Sequence, residues 1–140
     1  MSLSDSISLR IETSELAHLA EFLTGFCERH GLPPDVDMAL NLAAEEVFMN
    51  VVMHGQGASR VAVSITRNDG DVTLTIQDDA PQFDPLQAPD FDPATPLDQR
   101  RTGGLGIHLL RNLMTELRYE RVAGNNVLTL KKTIPEGAAA

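Results

Sequence analysis

Over residues 36–53 the chain reads VDMALNLAAEEVFMNVVM, without a single Gly or Pro. A run of this kind specifies a long helix, because nothing in it interrupts the backbone ladder. It is almost wholly apolar, so the rest of the chain must supply a core around it. At about 100° per residue, Asp37, Asn41 and Glu45 form one polar stripe and are expected to face solvent. Glu46 and Asn50 fall on a second stripe, roughly 100–140° around the helix. Their neighbours there are Ala39, Leu42, Ala43 and Met53. A carboxylate and a carboxamide on an apolar face are costly to bury without partners. Whatever satisfies that pair is the best lead to function.

The elements around this helix define a fold. Ile7, Leu9 and Ile11 alternate with Ser8 and Arg10, the pattern of a half-buried strand. Thr13 and Ser14 carry hydroxyls suited to capping the next helix, expected over residues 14–30. Its Leu16, Leu19, Ala20, Leu23, Phe26 and Cys27 share one core-facing side. Gly31 ends that helix, Pro34 fits the first turn of the long one, and Gly55 and Gly57 end the latter. Strands over residues 60–67 and 72–77 flank Asn68-Asp69-Gly70, a hairpin signal that asks for positive φ. Residues 78–102 hold prolines at 81, 85, 89, 93 and 96 and read as a functional loop or lid. Gly103-Gly104-Leu105-Gly106 opens a third helix that runs to about residue 115, and strands over 117–122 and 126–133 close the chain. The order βααββαββ predicts an α+β two-layer sandwich, three helices on one face of a mixed sheet of about five strands. On this reading residues 1–134 form one domain and 135–140 a loose tail.

Composition narrows the class of partner. A chain of 140 residues with 42% hydrophobic and 22% charged content is that of a soluble globular protein with one core. Aromatics are only 4% and Trp is absent, so the core rests on aliphatic side chains and Met. A formal net charge of −9 argues against nucleic acid or an anionic membrane as a direct partner, though not against a small anion held by backbone amides. Cys27 is alone, which excludes an internal disulfide and suits a reducing compartment. The first residues lack the basic-then-apolar pattern of a signal peptide, and no run of about 18 apolar residues exists. The expected location is the cytoplasm.

Three constellations carry chemistry. The first is Glu46 with Asn50 one turn later, followed by His54, which is expected to be a structural hydrogen-bonder at the helix end. Glu46 and Asn50 could bond one another and nearby backbone. Alternatively, the carboxamide oxygen is a hard, neutral ligand for a Mg²⁺ that keeps most of its waters and binds substrate phosphates. The carboxylate could then orient or deprotonate a nucleophile. The second is Asp78-Asp79-Ala80-Pro81-Gln82-Phe83, at a strand's exit. Its carboxylates can cap local amides, or Asp78 can accept from an exocyclic amine and so discriminate one base edge. The third is the glycine turn at 103–106, either a hinge or an anion site built from first-turn amides and the helix dipole. It is neither a Walker loop nor a dinucleotide fingerprint, since it lacks the Lys and the preceding strand. Together the three read as a site for a magnesium nucleotide.

With these residues the chain resembles the GHKL (Bergerat-fold) ATPase superfamily. Glu46 and Asn50 are similar to its N box, Asp78 and Ala80 to its first glycine box, and Gly103 to Gly106 to its second. A closer resemblance is to bacterial anti-sigma factor serine/threonine kinases, through AAEEVFMNVVMHG, DDAPQFDP, GGLGIHLLRNLMTELRYER and NVLTLKK. That resemblance implies Glu46 as general base, Asn50 as Mg²⁺ ligand and Asp78 as acceptor for the adenine amine. Gly104, Leu105 and Gly106 would give amides to the phosphates, with Ala80, Phe83, Gly103 and Ile107 completing the ATP site. Residues 86–102 would be the lid, from which Arg100 and Arg101 could reach the phosphates. Two departures stand out: Ala80 replaces the usual glycine, and Asn126 stands where the wider superfamily often carries Thr. The implied activity is phosphorylation of a serine on a STAS-type anti-sigma antagonist, alternating with sequestration of a sigma factor. A homodimer is common in the family, and a non-catalytic ATP-sensing module is the alternative. A histidine kinase or a gyrase-like motor is disfavoured, because neither a phosphoacceptor helix pair nor a transducer domain accompanies the sequence.

Overall fold

A computed structural model of the chain describes residues 3–87 and 104–135. Most of the expected lid, Arg100, Arg101, Gly103 and nearly all of the expected tail lie outside the described residues. Among those described, five strands and three helices follow in the expected order. They are β1 (Leu3–Leu9), α1 (Leu16–Arg29), α2 (Pro34–His54), β2 (Val61–Arg67), β3 (Asp71–Asp78), α3 (Gly104–Leu113), β4 (Glu116–Val122) and β5 (Asn125–Thr133). Short 3-10 turns occupy Thr13–Glu15 and Pro85–Gln87.

The sheet runs β1-β2-β3-β5-β4, and every neighbouring pair is antiparallel. The expected mixed sheet is corrected accordingly. β3 and β4 do point the same way, with α3 between them, but β5 turns back from β4 and inserts between the two. That insertion replaces a parallel pair by two antiparallel ones. Alternation then buries one face: Val61, Val63 and Ile65 of β2, Val72, Leu74 and Ile76 of β3, and Leu128 and Leu130 of β5. Against it lies a helical layer in which α2 touches α1, α3 and β3. Phe26, Leu40 and Phe48, all fully buried, join helices to sheet. Truncating side chains of this kind to Ala costs about 2–5 kcal/mol.

Local structure departs from the sequence reading in several places, each for a physical reason. β1 begins at Leu3 rather than near Ile7, because its serines are tolerated on the open face opposite β2. Thr13 and Ser14 do not cap α1: they sit in the 3-10 turn, and the Ser14 hydroxyl donates to Glu12 at 2.9 Å. Glu15 makes the local bonds instead, accepting from the Arg10 amide at 2.9 Å and pairing with His18 at 2.6 Å. Ala20 is exposed, while Leu19, Leu23, Phe26 and Cys27 are buried. Burial, and then Asp37, pushes the Cys27 thiol up to about 12, which suits a core residue with no chemistry. At its C-terminus α1 closes with Gly31 at φ +63°, the Leu32 amide reaching back to the Cys27 carbonyl at 2.9 Å.

The largest correction concerns α2. Asp37 and Asn41 were expected in solvent, yet they are half-buried against α1. Asn41 Nδ2 donates to Asp37 Oδ1 at 2.6 Å, and both bond Thr24 of α1 at 3.4 Å. The side exposed instead carries Met38, Leu42 and Met53. Hydrogen bonds to Thr24 make Asp37 and Asn41 compatible with a helix interface, while Glu45 is exposed as expected, so hydropathy alone misplaces two of the three stripe residues.

The expected positive-φ hairpin also sits elsewhere. None of Asn68, Asp69 and Gly70 has positive φ, and that turn closes through the Asn68 amide on the Asp71 carbonyl at 2.8 Å. The left-handed pair is Ala123 (φ +49°) and Gly124 (φ +83°), between β4 and β5. This turn sets the β4–β5 register, and that register builds the site.

Candidate functional site

β3 ends on Asp78 with its side chain on the core face. Across the ladder Asp78 pairs with Asn126 of β5, and Asn126 pairs with Arg121 of β4. One rung of three strands thus brings together a carboxylate, a carboxamide and a guanidinium. The Asn126 amide nitrogen donates to Asp78 Oδ1 at 2.9 Å and to the carbonyls of Pro81 at 3.1 Å and Ala80 at 3.4 Å. Its oxygen accepts from the Phe83 amide at 3.1 Å, the Tyr119 hydroxyl at 2.5 Å and Arg121 at 3.1 Å. Arg121 also donates to the Ala80 carbonyl at 2.8 Å. Asn126 is therefore a buried hub that fixes both the strand end and the loop leaving it.

Asp78 is 8% exposed, and its Oδ1 also accepts from the Ala80 amide at 3.0 Å. Its other oxygen, Oδ2, has no hydrogen bond among the described residues. Ala80 is itself buried and does not have positive φ, so a methyl side chain here costs the backbone nothing. Gly55, the C-cap of α2, explains the close approach opposite. A Cβ there would lie 2.6 Å from the Val51 carbonyl oxygen and 3.3 Å from Ala80 Cβ.

Between this rung and the last two turns of α2 lies a partly open pocket. Ile76, Leu128, Val47 and Val51 form apolar walls, Asp78, Asn126 and Tyr119 one polar end, and Asn50 and His54 line it from α2. Phe83, half-exposed, stands at the rim beside Pro81. His54 has no hydrogen bond among the described residues, contrary to the structural role expected of it: it is exposed and lines the pocket.

Asn50 is 8% exposed, and its side chain also has no hydrogen bond among the described residues. No fully buried side-chain polar atom is left without a partner there, so the Asn50 amide opens on the pocket. Glu46, one turn earlier, is partly buried and likewise unbonded among the described residues. Burial, and then the neighbouring Glu45 carboxylate, holds its carboxyl above the ordinary range. The mutual hydrogen bond that would have made Glu46 and Asn50 a self-satisfied pair is not formed. α3 starts at Gly104, so the backbone of Gly104, Leu105 and Gly106 forms its first turn, followed by that of Ile107.

A second carboxylate at the strand exit serves the fold. Asp79 points outward, where the Ser59 hydroxyl and the Ser59 amide (2.7 Å) both donate to it and hold its carboxyl below the ordinary range. The sequence reading missed the roles of Asn126, Tyr119, Arg121 and Ser59. The available signal was weak: an Asn at a core-facing position of a strand, where its propensity is poor.

A sheet with one helical layer, and a pocket between α2 and the end of β3, is the arrangement of a class of ATP-binding domain. The chain belongs to the histidine kinase-like ATPase domain family, whose model matches residues 9–132. It is 29% identical over 131 residues to the serine/threonine-protein kinase BtrW of Bordetella bronchiseptica, covering 91% of this chain and 92% of that one. To the serine-protein kinase RsbW of Bacillus subtilis it is 30% identical over 117 residues, 78% of this chain and 72% of the relative. The fold is that of the crystal structure of the RsbU and RsbW domains of a Mycobacterium tuberculosis protein, with a TM-score of 0.68 at 18% identity. That match takes in 99% of this chain and 35% of the longer one, so the chain spans about a third of it. Among the described residues no helix is long and apolar enough to cross a membrane.

Proposed function

We propose that the chain is a Mg²⁺-ATP-dependent serine/threonine protein kinase of a cytoplasmic partner-switching system, phosphorylating an anti-sigma antagonist of STAS type and sequestering a sigma factor. The observation that carries this reading is the open, unbonded pair Glu46 and Asn50 beside a pocket whose Asp78 keeps one oxygen free. Asp78 Oδ2 would accept the adenine amine, with Phe83 and Ala80 bounding the base. First-turn amides of α3 suit phosphate oxygens, where they and the helix dipole favour negative charge.

Among the described residues, Asn50 is the side chain that would suit Mg²⁺ at this pocket. Among the described residues no cluster of three or more His, Cys, Asp or Glu forms a protein cage. A single neutral oxygen matches an ion held mainly by phosphates and water, which supplies charge neutralisation at the phosphates when bound. Glu46 would take the proton of the partner's seryl hydroxyl as that oxygen bonds to the γ-phosphorus. The bond to the β–γ bridging oxygen breaks, ADP leaves, and the proton passes from Glu46 to solvent. The raised proton affinity of Glu46, caused first by burial and then by the Glu45 carboxylate, makes it a stronger base. Positioning does the rest, as is usual for phosphoryl transfer.

The test is incubation with labelled ATP, Mg²⁺ and candidate antagonist domains. Glu46→Gln should bind ATP normally and lose transfer by about 10²–10⁴-fold. Equal transfer by that variant would remove Glu46 as base. ATP binding without transfer to any antagonist domain would leave the ATP-sensing module that the relatives' kinase names argue against.

A further inference from the structure

The exposed side of α2 carries apolar residues that do not line the pocket. Met38 is 58% exposed, Leu42 38% and Met53 51%, with Met49 partly buried between them. Spacings of four, seven and four residues place all four on one side of the helix, over a length of roughly 22 Å. Exposed Met at this density is uncommon on a surface with no partner, and its flexible thioether adapts to varied apolar shapes. The strip is rimmed by Asp35 and Glu45, both exposed, and by Glu46. The whole of α2 carries four carboxylates and no Lys or Arg.

We infer that this strip is a docking seat for an amphipathic helix of a protein partner, whose apolar ridge is flanked by Lys or Arg. The occupant follows from the charges. An acidic rim disfavours an anionic lipid surface, and a second copy of this chain would set Asp35, Glu45 and Glu46 against like charges. A basic-rimmed helix meets both the apolar strip and its border, and about four turns of it match the strip's length. The inference deepens the kinase reading, since the seated segment lies alongside Glu46 on the same helix.

Three labelled 18-residue helical peptides with one Leu ridge test it, rimmed by Lys, rimmed by Glu, or Lys-containing with the ridge scrambled. Anisotropy is read with the full chain and no nucleotide. The Lys-rimmed peptide should bind at least about tenfold tighter than either other. Binding should weaken with salt and fall about tenfold or more in Met38→Ser/Leu42→Ser/Met53→Ser. Equal binding of the scrambled peptide, no binding, or full binding by the triple variant overturns the inference. So does concentration-dependent self-association, by light scattering, that the triple variant abolishes, because the seat would then belong to a second copy. Should the triple variant lose its cooperative melt, Met38→Lys, at the most exposed position, takes its place with the same outcomes. Because no ATP is present, failure here leaves the kinase reading to its own transfer assay.

Discussion

The two ends of the pocket are built in opposite ways. At the β3 end, Asn126 joins Asp78, Ala80, Pro81, Phe83, Tyr119 and Arg121 through direct hydrogen bonds, leaving one carboxylate oxygen available. On α2, Asn50 and Glu46 carry no such bond among the described residues, and burial already strains Glu46 toward its neutral form. The first end is organised before any ligand arrives, so specificity there costs little reordering on binding. The second is left wanting partners, so a ligand that provides them stabilises the folded state by mass action. On the proposed reading, selectivity is thus assigned to the β3 end and chemistry to α2.

The sharpest way to break this contrast is at the free oxygen. Asp78→Asn preserves shape but presents an amide where an amine must be accepted. ATP affinity should fall by about 100-fold or more in calorimetry, while the fold survives because Asn126 keeps an oxygen to bond. Unchanged affinity would mean that the prepared end does not read the base. Next in size is Asn126→Ala, which strips Asp78, Tyr119, Arg121 and the Phe83 amide of a shared partner. A loss of about 1–3 kcal/mol, seen as a melting temperature lower by several degrees, is expected from orphaning buried groups. ATP affinity should fall with it. If stability drops and affinity does not, the hub supports the fold without preparing the site.

How much of this was legible in the sequence follows the same division. Glu46 and Asn50 announce themselves because they lie four residues apart on one apolar helix, and helical periodicity needs no tertiary knowledge. The order of elements is equally local. Asn126 was invisible as a hub, since its role depends on the antiparallel register of β3, β5 and β4. That register in turn depends on Ala123-Gly124 rather than on the Asn-Asp-Gly turn that looked stronger. A one-residue slip would send Asn126 to the open face. The exposed Met strip was misread for a related reason: Asp37 and Asn41 look solvated until Thr24 of α1 is placed beside them.

A smaller effect separates the unprepared end from an ordinary surface. The folded-state proton affinity of Glu46 is raised, so its contribution to stability is full at low pH and is lost as pH rises through that raised value. The loss falls in the window just above the ordinary carboxylate range. Glu46→Gln is never charged and escapes it. The melting temperature of Glu46→Gln relative to wild type should therefore climb from pH 4 to pH 7, by about one or two degrees. Saturating Mg²⁺-ATP should erase part of the difference if the ligand supplies the missing partners. A flat difference across that range would show Glu46 to be as well satisfied as a surface carboxylate.

The smallest effect tests whether adjacency along the chain matters at all. Asp79 follows Asp78 directly but faces outward, tying the loop to the start of β2 through Ser59. Here the sign is reversed. Hydrogen bonds from Ser59 lower the folded-state proton affinity, so the stabilisation is present above the ordinary carboxylate value and fades as pH falls through the depressed one. Asp79→Asn should cost a barely measurable part of the melting temperature at pH 7, with the cost vanishing in acid, because an exposed group is screened by water. Its ATP affinity should match wild type. A large loss of affinity would mean that the outer loop bond, and not the Asn126 hub, holds the prepared end in place, and the contrast between the two ends would then have to be redrawn around Ser59.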